Sequence, residues 1–288
     1  MYIAIIDLGS NSARMTVWRA EGKELAAVYN DRKYVRLSEG LAETGLLGEE
    51  PMARTVSALK EFCAVTRRFF CRHVIAVATE AVRRAGNSGD FIKRVHDETA
   101  LSLRVLSGEE ESLADFYASE EFTDSDALIM DVGGGSLELI ACRDGKMLGH
   151  VCLPFGAVIM TDRFGGDRGA LIRFFTEEFS RLELIKGFRH EKIIGLGGSI
   201  RALFDFSVGK NQGAYMRADE FSETAERIFS MEESALSSEG AFRDRADIIK
   251  AGIAPFYALA SLTCAQGIIL NNRGVREGML LQWLKKNS

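Results

Sequence analysis

One sequence pattern occurs twice in the chain and constrains its fold more than any other feature. Residues 3–23, IAIIDLGSNSARMTVWRAEGK, have the pattern of an apolar strand that ends at an acid, a turn of small residues and a second strand. Residues 127–146, ALIMDVGGGSLELIACRDGK, repeat this order. The matched positions are Asp7 with Asp131, Gly9 with Gly133, Ser12 with Ser136, and residues 21–23 with residues 144–146. Two copies of one hairpin indicate an internal duplication.

The segments around these hairpins predict an α/β fold, because helical spacing alternates with strand-like runs. Predicted strands are 2–6, 13–19, 74–78, 103–106, 127–131, 137–142, 148–152 and 192–195. Predicted helices are 51–70, 88–98, 109–121, 168–186, 218–230, 245–265 and 275–286. Pro255 lies inside one of them and predicts a kink or break there.

The duplication also predicts the domain organisation. The acidic, polar segment EEFTDSD, around 120–126, separates the two copies. We therefore expect one domain over 1–122 and a similar one over 123–274, facing each other across a cleft. The C-terminal helix, within 275–288, is expected to pack back on the first domain.

Composition excludes several classes of protein. A net charge of -5 argues against a general nucleic-acid binder, and no apolar run reaches the ~18 residues of a membrane span. The apolar run before Asp7 is too short for a signal peptide. The five cysteines form no C-x-x-C pair and are expected to be reduced. These observations predict a cytoplasmic protein without nucleic-acid or membrane partners.

An acid followed by a glycine turn is suited to phosphate binding. Such a turn presents backbone N–H groups to an anion, and the Asp can hold Mg²⁺ against the phosphate. Two turns on opposed domains would clamp one phosphate chain, whereas a single turn could be merely structural. A dinucleotide site is excluded because a strand, 137–142, follows Gly133–Gly135. No Gly-Lys-Ser/Thr closes either turn, which excludes a P-loop.

A third turn, GLGGSIRAL at 195–203, follows a predicted strand and opens a helix. Its N–H groups could bind an anion or a nucleoside, although the signal is weak alone. Thr79, Arg83 and Asn87 recur at four-residue steps and would share a helical face. On that face Arg83 could bind a phosphate oxygen, or it could form a solvated pair with Arg84.

The segment LSGEEES, 106–112, places three glutamates at the start of a helix. The helix dipole favours acids there, so capping explains part of this run. One of the three could act as a general base for water, and the pattern alone does not identify which.

Six ordered motifs resemble the exopolyphosphatase and guanosine pentaphosphate phosphatase family. They are IDLGSNS, ATEAVRRAGN, SGEEES, DVGGGSLEL, GLGGS and RADIIKAG, and the similarity extends to GVREGML near the C-terminus. The family belongs to the duplicated fold of actin, hexokinase and Hsp70, which is built from ribonuclease H-like domains. The resemblance therefore implies two actin-like domains.

The resemblance also implies roles for individual residues. Glu111 corresponds to the family's general base, and Arg83 to an arginine on the phosphate chain. The implied phosphate-binding residues are Gly9, Ser10, Asn11, Ser12, Gly133, Gly134, Gly135, Ser136, Gly197, Gly198 and Ser199. The implied metal-associated acids are Asp7, Asp131 and Glu138. Leu137 and Arg14 depart from the family's usual Thr and His or Lys.

The activity implied by the resemblance is Mg²⁺-dependent release of terminal phosphate from inorganic polyphosphate or guanosine pentaphosphate. A K⁺ requirement stays open, and related proteins suggest a homodimer. The chain lacks the helical domains that longer relatives add, so short polyphosphate chains are the expected preference. Two alternatives remain: a kinase or ATPase of the same superfamily with a nucleoside pocket at Gly195–Ser199, and a non-catalytic nucleotide sensor.

Overall fold

A computed structural model describes residues 1–21, 24–188, 192–209 and 214–287. The chain forms two compact units: unit 1 is residues 1–114 with the C-terminal segment from Val275, and unit 2 is Asp115–Gly274. Gly22 and Lys23, part of the repeat comparison, lie outside the described residues.

The first part of unit 1 alternates strands and helices. Its elements are β1 (Tyr2–Leu8), β2 (Ser12–Glu21), β3 (Glu24–Tyr34), α1 (Leu41–Thr44), α2 (Glu49–Arg68), β4 (His73–Ala78), α3 (Glu80–Arg84), α4 (Ser88–Thr99), β5 (Leu103–Val105) and α5 (Gly108–Ala118). The sheet order is β3-β2-β1-β4-β5. Strands β1 to β3 form an antiparallel meander, and β4 and β5 run parallel to β1.

Unit 2 repeats this plan with additional helices. Its elements are β6 (Ala127–Val132), β7 (Leu137–Arg143), β8 (Lys146–Leu153), α6 (Ala157–Phe164), α7 (Arg168–Ser180), β9 (Lys192–Gly197), α8 (Gly198–Val208), β10 (Tyr215–Arg217), α9 (Ala218–Ser230), α10 (Glu233–Ser238), α11 (Ile249–Thr263) and β11 (Gly267–Leu270). The chain then returns to unit 1 as α12 (Val275–Asn287).

The two sheets share one strand order. In unit 2 the order is β10-β11-β9-β6-β7-β8, so β8, β7, β6, β9 and β11 take the places of β3, β2, β1, β4 and β5. Strand β10 is an additional antiparallel edge strand. This repetition confirms the predicted α/β class and the predicted duplication.

The sheet of each unit packs against other elements on both of its faces. This is possible because side chains alternate between the two faces along each strand. In β1, Ile6 and Leu8 join a core with Phe62 of α2 and Phe91 of α4. Ile3 and Ile5 point to the other face and pack with residues of α5 and α12. Asp7 follows Ile3 and Ile5 at the same two-residue spacing.

The unit boundary lies inside α5, between Ala114 and Asp115, rather than in the polar segment around 120–126. The apolar residues of α5 explain this difference. Ala114 packs in a cluster of unit 1 with Met279, whereas Phe116 packs in a cluster of unit 2 with Ile129. One helix therefore contributes to the cores of both units.

Three strands were not predicted: β3, β10 and β11. The edge strand β3 is largely exposed and rich in charged residues, so it lacks a clear alternating pattern. Of the predicted kink or break at Pro255, the break is wrong, because α11 continues through this residue. Eleven of the fifteen residues of α11 are buried, and this burial offsets the missing backbone hydrogen bond. Among the described residues, no helix is long and apolar enough to cross a membrane.

Candidate active site

The two acid-tipped hairpins have the same backbone geometry. Leu8 lies opposite Ala13 in the first hairpin, and Val132 lies opposite Leu137 in the second. In the first, the N–H of Gly9 donates to the carbonyl of Ser12 over 3.1 Å. The equivalent bond, from Gly133 to Ser136, is 3.0 Å long. The sequence repeat is therefore a repeat of one hydrogen-bonded turn.

The carbonyl groups of both turns accept hydrogen bonds from a later segment of the same unit. In unit 1, the Asn11 carbonyl accepts from the N–H groups of Val35 and Arg36, and the Ser10 carbonyl accepts from Ser38. In unit 2, the start of α6 provides the donors. These bonds run from Gly156 to Gly135 (3.2 Å), from Ala157 to Gly133 (2.9 Å) and from Val158 to Gly134 (2.9 Å).

The amide groups of the turns are used differently. Within the part of the chain that the structure describes, no residue accepts a hydrogen bond from the N–H of Ser10, Asn11, Gly134 or Gly135. Buried or half-buried amides require acceptors. Successive N–H groups in a glycine-rich turn can bind an anion, and the turn of each unit has two such amides.

Neighbouring strands bring the other predicted residues of unit 1 to the same sheet edge. The N–H of Thr79, after β4, donates to the carbonyl of Leu8 over 3.1 Å. The N–H of Leu106, after β5, donates to the carbonyl of Ala78 over 2.8 Å. The carboxyl ends of β1, β4 and β5 are therefore aligned, as in the ligand-binding edges of many α/β proteins.

The three glutamates of α5 have three different environments. Glu109 is exposed. Glu110 forms a capping box with Ser107, because its carboxylate accepts from the Ser107 N–H (2.9 Å) and its own N–H donates to the Ser107 hydroxyl (3.1 Å). Glu111 is 5% exposed and points toward Arg83. Capping therefore accounts for Glu110. It does not account for Glu111, whose carboxylate is buried.

Arg83 connects α3 to the start of α5. Its Nη1 donates to Oε2 of Glu111 over 2.8 Å and to the carbonyl of Leu106 over 2.7 Å. Its Nε donates to Glu80 over 3.1 Å. Burial lowers the pKa of Arg83, but hydrogen bonds and charges from Glu111 and Glu80 outweigh this effect and raise it overall. The alternative of a solvated Arg83–Arg84 pair is therefore wrong for Arg83.

Glu80 is a site residue that the sequence reasoning missed. It is 7% exposed and lies between Arg83 and Arg84. Its three- and four-residue spacing from these arginines was the available signal.

The expectation that Thr79, Arg83 and Asn87 share one helical face is wrong. Helix α3 ends at Arg84, and Ala85 is extended, so Asn87 lies beyond its end. The side chain of Asn87 instead pairs with the backbone of Leu47: its Oδ1 accepts from the Leu47 N–H (2.9 Å), and its Nδ2 donates to the carbonyl (3.0 Å). Asn87 therefore has a structural role.

Asp7 lies beside arginines. Its partner across the β1–β2 ladder is Arg14, whose Nε donates to the Ser12 hydroxyl at 3.4 Å. Burial raises the pKa of Asp7, and the charges of Arg14 and Arg276 oppose this rise without cancelling it. The Arg276 side chain also donates to Thr16 at 3.0 Å. The first turn is therefore flanked by positive charge.

At the corresponding position of unit 2, two acidic residues lie opposite each other in the sheet. Asp131 lies opposite Glu138 across β6 and β7, and Glu138 lies opposite Cys152 across β7 and β8. Glu138 is 2% exposed and accepts a hydrogen bond from the Cys152 thiol, with Sγ 3.1 Å from Oε1. Two neighbouring carboxylates suit a divalent cation that keeps water or phosphate as its other ligands.

The third glycine turn lies directly against this acid pair. Gly197 has φ +98°, and a Cβ there would lie 2.8 Å from the Asp131 carboxylate and 2.6 Å from the Val132 carbonyl. Ser199 is buried against Gly252, where a Cβ would lie 2.1 Å from its hydroxyl oxygen. This contact favours a packing role for Ser199.

Arg245 is a second candidate that the sequence reasoning left without a role. A Cβ on Gly198 would lie 2.3 Å from Nη1 of Arg245. The guanidinium of Arg245 therefore packs directly against the backbone of Gly198. The signal was its place in the RADIIKAG motif. Arg245 adds positive charge beside the third turn.

The sequence and the fold are both similar to those of known proteins. Residues 16–287 match the Ppx/GppA phosphatase family. A family member from Aquifex aeolicus is 27% identical, with a TM-score of 0.84, over 100% of this chain and 99% of that one. An exopolyphosphatase from Cytophaga hutchinsonii is 23% identical, with a TM-score of 0.93, over 99% of this chain and 98% of that one. The chain belongs to the Ppx/GppA phosphatase family.

Proposed function

We propose that the protein hydrolyses the terminal phosphoanhydride bond of inorganic polyphosphate or guanosine pentaphosphate. Membership of the Ppx/GppA phosphatase family supports phosphatase activity, and the solved relative from Cytophaga hutchinsonii is an exopolyphosphatase. The observation that carries the proposal is the partly buried Arg83–Glu111 pair, at the same sheet edge as an amide-lined turn.

In this proposal Glu111 is the general base. It takes a proton from water while the water oxygen attacks the terminal phosphorus in line. The bridging P–O bond breaks, its electron pair stays on the shortened chain, and orthophosphate leaves. Arg83 fixes the Glu111 carboxylate by a 2.8 Å hydrogen bond and stabilises its charged form. The amides of Ser10 and Asn11, in the turn at the same sheet edge, hold phosphate oxygens through charge-assisted hydrogen bonds.

The residues of unit 2 fit Mg²⁺. Asp131 and Glu138 are neighbours on paired strands, and Mg²⁺ commonly takes one or two carboxylates together with water and substrate phosphates. Within the described ranges, no group of three or more His, Cys, Asp or Glu side chains could hold a metal ion by itself. When bound, Mg²⁺ would neutralise charge on the phosphate oxygens.

Asp7 has a different environment from Asp131. The charges of Arg14 and Arg276 act on it, whereas Asp131 lies opposite another acid. We therefore propose Asp131 and Glu138 as the main Mg²⁺ ligands, and Asp7 as an acid that orders the arginines beside the first turn. Arg14 and Arg276 would then supply positive charge for the substrate.

The test measures phosphate release from polyphosphate, guanosine pentaphosphate and ATP in parallel, with Mg²⁺ and with EDTA. We expect release from at least one of the first two substrates, and loss of that release in EDTA. ATP turnover with transfer to a small alcohol would instead indicate a kinase. Tight binding of guanosine pentaphosphate without phosphate release would indicate a sensor. Either result would overturn the proposal.

A further inference from the structure

Strands β6, β7 and β8 align three chemically active side chains in one row. Asp131, Glu138 and Cys152 occupy directly opposed positions in the two ladders. Residues opposed in a ladder share a face of the sheet. The flanking residues Val151 and Leu153 pack in the core on the opposite face, so Cys152 points to the face of the acids.

The thiol of Cys152 makes a short contact with the acid. Its Sγ lies 3.1 Å from Oε1 of Glu138. A carboxylate accepts hydrogen bonds, and a neutral thiol in this position must be the donor. Glu138 is 2% exposed, and a buried carboxylate that loses a donor is costly. Cys152 therefore restricts which way Glu138 can turn its oxygens.

We propose that Cys152 is a positioning residue for the divalent-cation site, which rests on the function proposed above. By donating to Oε1, the thiol orients the Glu138 carboxylate for the cation shared with Asp131. Such outer contacts fix the orientation of a ligand, and their loss typically weakens metal binding by about 10–100-fold. Cys152 touches neither the substrate nor the cation in this assignment.

Three variants separate hydrogen bonding from packing. Cys152→Ser keeps an O–H donor, whereas Cys152→Val removes the donor and keeps most of the volume. Cys152→Ala removes both. The matched control is Cys264→Ala, at an exposed cysteine of the same unit. Thermal unfolding checks that each variant is folded, and the Ser–Val comparison keeps the test valid if Cys152→Ala is not.

Two measurements follow on the full chain. Mn²⁺ binding without substrate, by electron paramagnetic resonance, reports the site directly, since carboxylate sites accept both Mn²⁺ and Mg²⁺. The Mg²⁺ concentration for half-maximal phosphate release reports the same site in turnover. For Cys152→Val and Cys152→Ala we expect both values to rise about 10–100-fold, with kcat at saturating Mg²⁺ falling much less. Cys152→Ser should keep both values near those of the wild-type protein.

The possible failures are distinguishable. Wild-type cation affinity in folded Cys152→Val, or equal loss in the Ser and Val variants, would overturn the role of Cys152 while the wild-type enzyme remains active. If the wild-type protein neither binds Mn²⁺ nor releases phosphate, the proposed function is overturned together with this inference.

Discussion

Arg83 and Glu111 form an ion pair of 2.8 Å between α3 and the first turn of α5. The pair joins two segments that follow adjacent parallel strands, β4 and β5. Both side chains are mostly shielded from water. Each is therefore paired with a protein group rather than with solvent. This relationship distinguishes Glu111 from the other two glutamates of the run and supports its proposed role as the general base.

The first prediction concerns this carboxylate. Replacing Glu111 by Gln keeps an acceptor for Arg83 but removes the base, so kcat for phosphate release should fall by about 10²–10⁴-fold. KM should change little, because the turns proposed to bind phosphate are intact. The control is Glu109→Gln, at the exposed neighbour, which should keep wild-type activity. Steady-state kinetics measures both, and a Glu111→Gln enzyme with normal kcat would refute the assignment.

The second prediction concerns the arginine. Arg83→Met would leave two buried carboxylates, Glu80 and Glu111, without their main cationic partner. Breaking a buried ion pair from one side costs on the order of 3–5 kcal/mol. Arg84 is 44% exposed and lies 3.7 Å from Glu80, so Arg84→Met should change stability by less than about 0.5 kcal/mol.

Urea unfolding followed by circular dichroism compares these two variants. Similar midpoints for Arg83→Met and Arg84→Met would show that the Arg83 network is not important for stability. The assignment of Arg83 as the residue that holds Glu111 would then be lost.

The third prediction concerns the turn at residues 133–136, which is proposed to bind phosphate. Gly156 precedes α6, and a Cβ there would lie 2.4 Å from the carbonyl carbon of Gly134 and from the nitrogen of Gly135. Gly156→Ala must therefore displace the turn or the helix. A shift of about 1 Å at a catalytic site can lower turnover about 10²-fold.

Gly89 provides the matched control, because a Cβ there would have no atom within 4 Å. Gly89→Ala should leave phosphate release unchanged and raise stability slightly, by about 0.5–1 kcal/mol. Full activity in folded Gly156→Ala would contradict the proposed role of the second turn.

The sequence predicted the hairpin repeat correctly because the repeat is local. An apolar strand, an acid and a turn of small residues lie within one short stretch, and both copies form the same Gly–Ser hydrogen bond. By contrast, β11 spans only Gly267–Leu270, and its neighbour β9 is distant in sequence. Its pairing depends on tertiary contacts that no local pattern records.

The site residues, like the strands, were predictable only where the sequence signal is local. Local spacing marked Arg83 and the three glutamates, but the choice among Glu109, Glu110 and Glu111 depends on which one meets Arg83 across the sheet edge. The contact of Glu138 with Cys152 depends on the register of β7 and β8. Spacing along one strand cannot supply that register.

The last prediction concerns the contact that seats α12 against α5 in unit 1. A Cβ on Gly278 would lie 1.9 Å from the carbonyl oxygen of Ala114 and 2.5 Å from its carbonyl carbon. Backbone atoms cannot yield as a flexible side chain can, so Gly278→Ala must separate the two helices. Overpacking of this kind costs typically about 1–3 kcal/mol, and the buried Met279 and Leu280 would lose contacts as well.

Because Glu111 lies on α5, Gly278→Ala should lower kcat as well as the urea midpoint, whereas Gly274→Ala should change neither, since a Cβ there meets no atom within 4 Å. Unfolding curves and phosphate release measured on the same preparations separate the two effects. A Gly278→Ala protein as stable as wild type would show that α12 does not rest on the Ala114 carbonyl, and that Glu111 is positioned without it.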